Sequence, residues 1–245
     1  FTGEHEADVM NNSATINLNI LRNIKDYKPK IFFSSSACMY PEHNQLDPNT
    51  PDCREDTAYP ANPDSEYGWE KLFSRYHNIF GPEGTWTGGR EKAPAAICRK
   101  VAELPQEGGT IEVWGDGLQT RSFLFVDECV EATYRLVQSD FTGPVNIGSE
   151  EMVSINGLVD IAAKAADKKV EKNHIEGPLG VRGRNSNNDL IKEKLDWNYT
   201  MTLEEGIKKT YDWINENQMG NKPVVEEVVE PNLNPFSRFM KWMDR

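Results

Sequence analysis

Apolar residues recur along this chain with two spacings. Met10, Ala14, Leu18, Leu21 and Ile24 repeat as one face of a helix and predict a helix over 9–26. Lys30–Ser35 follows, a short apolar run that predicts a buried strand. Pro41, Pro48, Pro51, Pro60 and Pro63 then exclude a long regular element, so 41–63 reads as loop. A loop of that length in a compact domain usually serves function. Helical spacing resumes over Ser65–Ser74, Arg75–Phe80 reads as extended and Glu91–Val101 as helix. Ile111–Trp114 reads as a strand ended by the turn Gly115-Asp116-Gly117.

The second half alternates more regularly. Arg121–Val126 is extended, Asp127 is read as the cap of a helix through about Gln138, and Pro144–Ile147 is a short strand. Ser154 caps a helix that lines up Ile155, Leu158, Ile161, Ala162 and Ala165. Val170–Ile175 is extended, and Thr202-Leu203-Glu204-Glu205 is a capping box opening a helix to about Asn217. Residues 219–245 abandon the pattern for an acidic Val/Glu segment, two prolines and the Phe- and Trp-bearing 236–245. They read either as a tail folded onto the body or as a docking segment. Alternating strands and helices argue for an α/β protein with a parallel sheet and a smaller C-terminal lobe.

Composition narrows the function classes. The 245 residues carry 27 Lys and Arg against 39 Asp and Glu, a formal charge of −12, which argues against a nucleic-acid binder. No apolar run approaches the roughly 18 residues of a membrane span. Cys38, Cys53, Cys98 and Cys129 lack C-x-x-C spacing, so no metal site is expected. Few cysteines, an acidic balance and no signal peptide predict a reducing, cytoplasmic setting.

Chemistry first shows at Tyr67-Gly68-Trp69-Glu70-Lys71. Tyr67 and Lys71, four apart, project from one helix face, and the ammonium favours a phenolate able to act as acid and base. A bare Y-x-x-x-K is common by chance; context gives it weight. The run over Ile31–Ser35 delivers Ser36 and Cys38 to a strand end, where parallel sheets gather ligands. Ser36, Tyr67 and Lys71 have the order of the catalytic trio of extended short-chain dehydrogenase/reductases.

The resemblance sharpens at longer motifs. Ser34-Ser35-Ser36-Ala37-Cys38-Met39-Tyr40-Pro41, Tyr76-His77-Asn78-Ile79-Phe80-Gly81-Pro82 and Gly88-Gly89-Arg90-Glu91-Lys92-Ala93-Pro94 resemble those of the GDP-mannose 3,5-epimerase family. So do Trp114-Gly115-Asp116-Gly117-Leu118-Gln119-Thr120-Arg121-Ser122-Phe123 and Gly180-Val181-Arg182-Gly183-Arg184-Asn185-Ser186, and the likeness runs from about 9 to 217. It implies a Rossmann-like doubly wound parallel sheet and NAD-dependent epimerisation of GDP-mannose at C3, C5 or both through a transient 4-keto sugar. Tyr67 and Lys71 would act at C4 and hold NAD, and Ser36 would bond the same oxygen. Cys38 would serve as base and Lys92 as acid on opposite faces of the ring. Asn78, Glu91, Lys100, Gln119 and Arg121 would contact the substrate. Arg184 would take the pyrophosphate, guanidinium geometry suiting phosphate oxygens, although Arg182 competes for that place. A homodimer is implied, built on the helix of Tyr67 and its neighbour.

Two departures qualify the match. No G-x-G-x-x-G occurs, so the sheet reads as incomplete, with 1–90 as the later part of a dinucleotide domain. Residues 91–217 read as mainly substrate lobe with returning Rossmann elements, and 218–245 as tail. Between the Tyr67 helix and the Asn78 strand about 20 residues of the family pattern are missing near Ser74–Arg75, too short a connection for a parallel crossover. The rival readings are an epimerase or dehydratase for another nucleotide sugar and a degenerate homologue serving as a structural subunit. A dehydratase would place an Asp-Glu pair where Ala37-Cys38 stands.

Overall fold

The computed structural model describes residues 6–24, 26–27, 29–61, 75–177 and 180–219. The chain opens with helix α1 (Glu6–Ile24) and continues through strands β1 (Arg75–Tyr76) and β2 (Ile79–Phe80) to helix α2 (Ala93–Ala102). Strands β3 (Gly109–Trp114), β4 (Thr120–Ser122) and β5 (Leu124–Phe125) lead into helix α3 (Val126–Gln138). Strands β6 (Asn146–Ile147) and β7 (Met152–Ser154), helix α4 (Ile155–Ala166) and strands β8 (Val170–Ile175) and β9 (Gly183–Arg184) follow. Helices α5 (Asp189–Leu195) and α6 (Leu203–Met219) close the described chain. Between Pro41 and Ala61 there are only short 3-10 turns, as the prolines require.

Parallel pairing dominates. β1 pairs with β6, β2 with β5 and β3 with β8, all parallel, while β4 lies between antiparallel β7 and parallel β9. The α/β reading therefore holds, with the described strands forming four small sheets because most are two or three residues long. β5 divides the interior. Phe123 and Phe125 enter a core with Phe80, Val101, Ile111, Leu158 and Ile207, whereas Leu124 enters a second with Cys129, Ile147, Ile191 and Trp197. Alternation along an extended chain sends neighbours to opposite sides.

Helix ends are fixed as the sequence leads one to expect, with one exception. Ser154 Oγ accepts from Gly157 N at 3.0 Å, and Thr202 and Glu205 exchange bonds, the Thr202 N–H reaching Glu205 Oε2 at 2.9 Å. Asp127, however, lies inside the first turn of α3, and Phe125 is the capping position, without a side-chain bond. The carboxylate there still favours the positive end of the helix. Lys168 ends α2 by donating to Val101, Ala102 and Leu104 carbonyls at 3.0, 3.2 and 2.7 Å.

Two expectations are corrected. Lys30–Ser35 is not a strand, and Ile31 is 49% exposed. Its contact with a ladder comes at its end, where Ser35 O accepts from Tyr76 N at 3.3 Å and Ser36 bridges to Tyr76. Apolar composition makes a strand only where a partner runs alongside. Arg75–Phe80 is not continuous either: Asn78 sits at φ 44 between β1 and β2. The helix expected over Ser65–Ser74, the Ser74 side of the interrupted junction and the tail beyond Met219 lie outside the described residues. Among the described residues no helix is long and apolar enough to cross a membrane.

Candidate active site

The segment 29–35 runs into a 3-10 turn, Ala37–Met39, whose first carbonyl belongs to Ser36. Ser36 Oγ accepts from Cys38 N at 3.3 Å, which holds hydroxyl and thiol on one turn. Buried Tyr40 anchors that turn, donating to Asn146 Oδ1 at 2.7 Å, and His77 Nε2 shares the same oxygen at 2.9 Å. His77 is thus a packed, hydrogen-bonded residue behind the turn. Cys38 is half-buried, and Arg184 Nη1 donates to its sulfur at 3.3 Å. Arg184 is buried and also donates through Nε to Gln45 Oε1.

The other three thiols differ. Burial raises Cys53 to about 11, Cys98 to about 12 and Cys129 to about 11, so they stay protonated and unreactive at neutral pH. The charges of Arg184 and Arg121 both bear on Cys53, without overcoming its burial.

A hollow of about 220 Å³ lies beside this turn's β neighbours, lined by Asn78, Lys92, Gln119, Arg121, Phe123 and Ile155 among others. Asn78 reaches it because its left-handed backbone, which Asn tolerates, ends β1; its amide donates to Ser122 O at 2.9 Å. Lys92 arrives as the capping position of α2, with Pro94 in the first turn presetting the helix. Gln119 is 7% exposed, and its buried Oε1 has no hydrogen-bond partner among the described residues. An orphaned acceptor of this kind costs about 1–3 kcal/mol, which a ligand donor would relieve. Arg121 donates to Thr120 O at 2.7 Å and lies close to Gly180, whose φ of 62 suits glycine.

The thiol turn and the hollow adjoin through β4 and β9, where Arg121 and Arg184 are register partners. Partners in a parallel pair present side chains on the same face, so Arg121 and Arg184 leave neighbouring strands on one side, Arg121 toward the hollow and Arg184 toward Cys38. Arg182 and Arg184 point to different places. Arg182 pairs with Asp116 at 3.1 Å on the surface, while Arg184 turns inward to Cys38. Asp116 is held below the usual carboxylate range, first by its bond from Arg182 and then by Leu118 N.

The other expected residues fall elsewhere. Glu91 adjoins Lys92 but pairs with Arg99 at 3.4 Å. Lys100 donates to Glu112 O at 2.8 Å, tying α2 to β3, and does not line the hollow. Tyr67 and Lys71 lie outside the described residues. Gln45 was missed, since nothing in a Pro-rich loop distinguishes a glutamine that reaches a buried arginine.

Comparison with known proteins places this geometry. The model of the NAD dependent epimerase/dehydratase family matches residues 2–148. GDP-mannose 3,5-epimerase of Arabidopsis thaliana is 47% identical over 236 positions, covering 88% of this chain and 62% of the relative. GDP-mannose 3,5-epimerase 1 of Oryza sativa subsp. indica is 48% identical over 88% of this chain and 61% of its own. The chain thus spans about 62% of the length of the Arabidopsis relative. Because 88% of 245 residues is about 216, about 20 of the 236 positions face no residue here. The fold is shared with UDP-glucose 4-epimerase of Thermotoga maritima, at TM-score 0.69 and 23% identity over 82% of this chain and 68% of that one. Pal from Bacillus thuringiensis also shares it, at TM-score 0.72 and 21% identity over 88% and 72%. The chain belongs to the NAD dependent epimerase/dehydratase family.

Proposed function

We propose that this chain epimerises GDP-mannose at C3 and C5 through a transient 4-keto sugar, with NAD as cofactor. The observation that carries the reading is the in-register pair Arg121 and Arg184, set between the Cys38 turn and the Lys92 hollow. Two arginines on one face of neighbouring strands suit a pyrophosphate, and a small basic site of this kind reconciles an anionic substrate with a chain of charge −12. At about 220 Å³ the hollow is smaller than the roughly 300–1,000 Å³ of a whole small-molecule site, so it suits the sugar end of the ligand.

Tyr67 and Lys71 would hold NAD, which would supply reversible oxidation at C4, and the resulting 4-ketone would make the C–H bonds at C3 and C5 acidic. Ser36, fixed at the end of the 29–35 segment, suits a hydroxyl facing the C4 oxygen. Cys38 would withdraw the proton as thiolate, and Lys92, entering from a different element, would return one to the other face of the ring. Asn78 and the orphaned Gln119 oxygen would orient the sugar and its linkage. Glu91 would hold the Lys92 loop in shape, and Lys100 would brace α2. We place the dinucleotide part within 1–90 and the substrate lobe mainly within 91–217. The exposed apolar residues on one face of α1, Met10, Leu18 and Leu21, would form the face of a homodimer. The tail from 219 would serve as a docking segment, and the setting would be cytoplasmic.

The test is incubation of the full protein with NAD and GDP-mannose in deuterated water. Deuterium is expected at C3 or C5 of the recovered sugar, and none with Cys38→Ala. Absence of label at both carbons with the wild type would overturn the assignment.

A further inference from the structure

We propose that Gln45 is a positioning residue for the Cys38 thiol, acting through Arg184. Gln45 is fully buried at the end of a 3-10 turn, Glu42–Gln45. Its amide Nε2 donates to Tyr40 O at 2.9 Å and Pro41 O at 3.3 Å, carbonyls that follow Cys38 by two and three residues. Its Oε1 accepts from Arg184 Nε, and the same guanidinium donates from Nη1 to Cys38 Sγ at 3.3 Å. The four groups close a ring: thiol, turn carbonyls, glutamine, guanidinium.

Each link has a physical purpose. A buried amide is costly unless bonded, and Gln45 uses both ends of its side chain. A guanidinium is planar, so fixing Nε fixes the direction of Nη1. That direction keeps the guanidinium N–H on the Cys38 sulfur. The backbone is clamped to match. Thr120 Oγ1 bonds Pro48 O, and a Cβ on Gly183 would lie 2.6 Å from Asp47 O, so the loop rests against β4 and β9 beside Gln45.

This inference rests on Cys38 as the base, but its test needs neither sugar nor cofactor. The initial rate of Cys38 alkylation by iodoacetamide is followed by peptide mass near neutral pH. Buried Cys53, Cys98 and Cys129 serve as internal reporters of opening. Gln45→Met is expected to slow Cys38 labelling by at least about five-fold, because thiol reactivity depends on an electropositive neighbour held in place. Arg184→Met is expected to slow it at least as much, and the double variant no further than Arg184→Met alone. Unchanged or faster labelling in Gln45→Met with the other cysteines protected, or losses that multiply in the double variant, would overturn the proposal. Should Gln45→Met unfold, Arg184→Met decides: unchanged labelling there removes the link through which Gln45 acts. Deuterium exchange failing in a protein that labels as expected would reject the epimerase reading and leave this one standing.

Discussion

Glu91 and Lys92 are neighbours with different work to do. The Glu91 carboxyl is held below its ordinary range by its own backbone N–H, with further help from Gly89 N, the Arg99 guanidinium and Arg90 N, against the upward push of burial. Gly88 and Gly89, at φ 84 and 80, shape the turn that presents those groups. A carboxyl held low in the folded state contributes fully above its unfolded value near 4.5 and loses that contribution as pH falls through the folded value. The melting-temperature gap between wild type and Glu91→Gln is therefore expected to be widest above pH 4.5 and to close on acidification. A gap constant from about pH 6 to about pH 3 would contradict this. Residue identities were the most legible part of the site. Cys38, Asn78, Lys92, Gln119, Arg121 and Arg184 stand in motifs that a reader can quote, and the structure gathers them into two adjoining clusters. What the motif could not show was which of Arg182 and Arg184 turns inward, because Asp116, which takes Arg182, lies 66 residues away.

Helices were legible as elements, since their signals are local. The Thr202–Glu205 box and the Ser154 cap are both present as bonds. Ser154→Ala should cost about 1 kcal/mol in urea unfolding, because the Gly157 N–H loses its acceptor. An effect below a few tenths would mean that solvent replaces the cap. Strands were legible only in part. Val170–Ile175, apolar only at its two ends, pairs along its whole length with β3, whereas the more apolar Lys30–Ser35 does not pair until its last residue. Strand formation depends on a neighbour that may be a hundred residues distant, and periodicity carries no information about it. The register that sets Arg121 against Arg184 is hidden for the same reason.

At the scale of the molecule, α1 stands out: Met10, Leu18 and Leu21, on one face of a helix of 19 residues, are 37%, 66% and 49% exposed. A contiguous apolar face of this kind marks an interaction site. If it forms the homodimer face, Leu18→Glu should convert a dimer to a monomer in light scattering at micromolar concentration. An unchanged mass would move the interface elsewhere. The α/β class was visible in the alternation of the second half, but the division of its interior was not. Phe123, Leu124 and Phe125 form one short wall with a different filling on each side. Sliding that wall by a single residue would push phenylalanines into the smaller chamber and leucine into the larger. Neither chamber can therefore be emptied while the other stays full, and heat should take both apart in a single cooperative step.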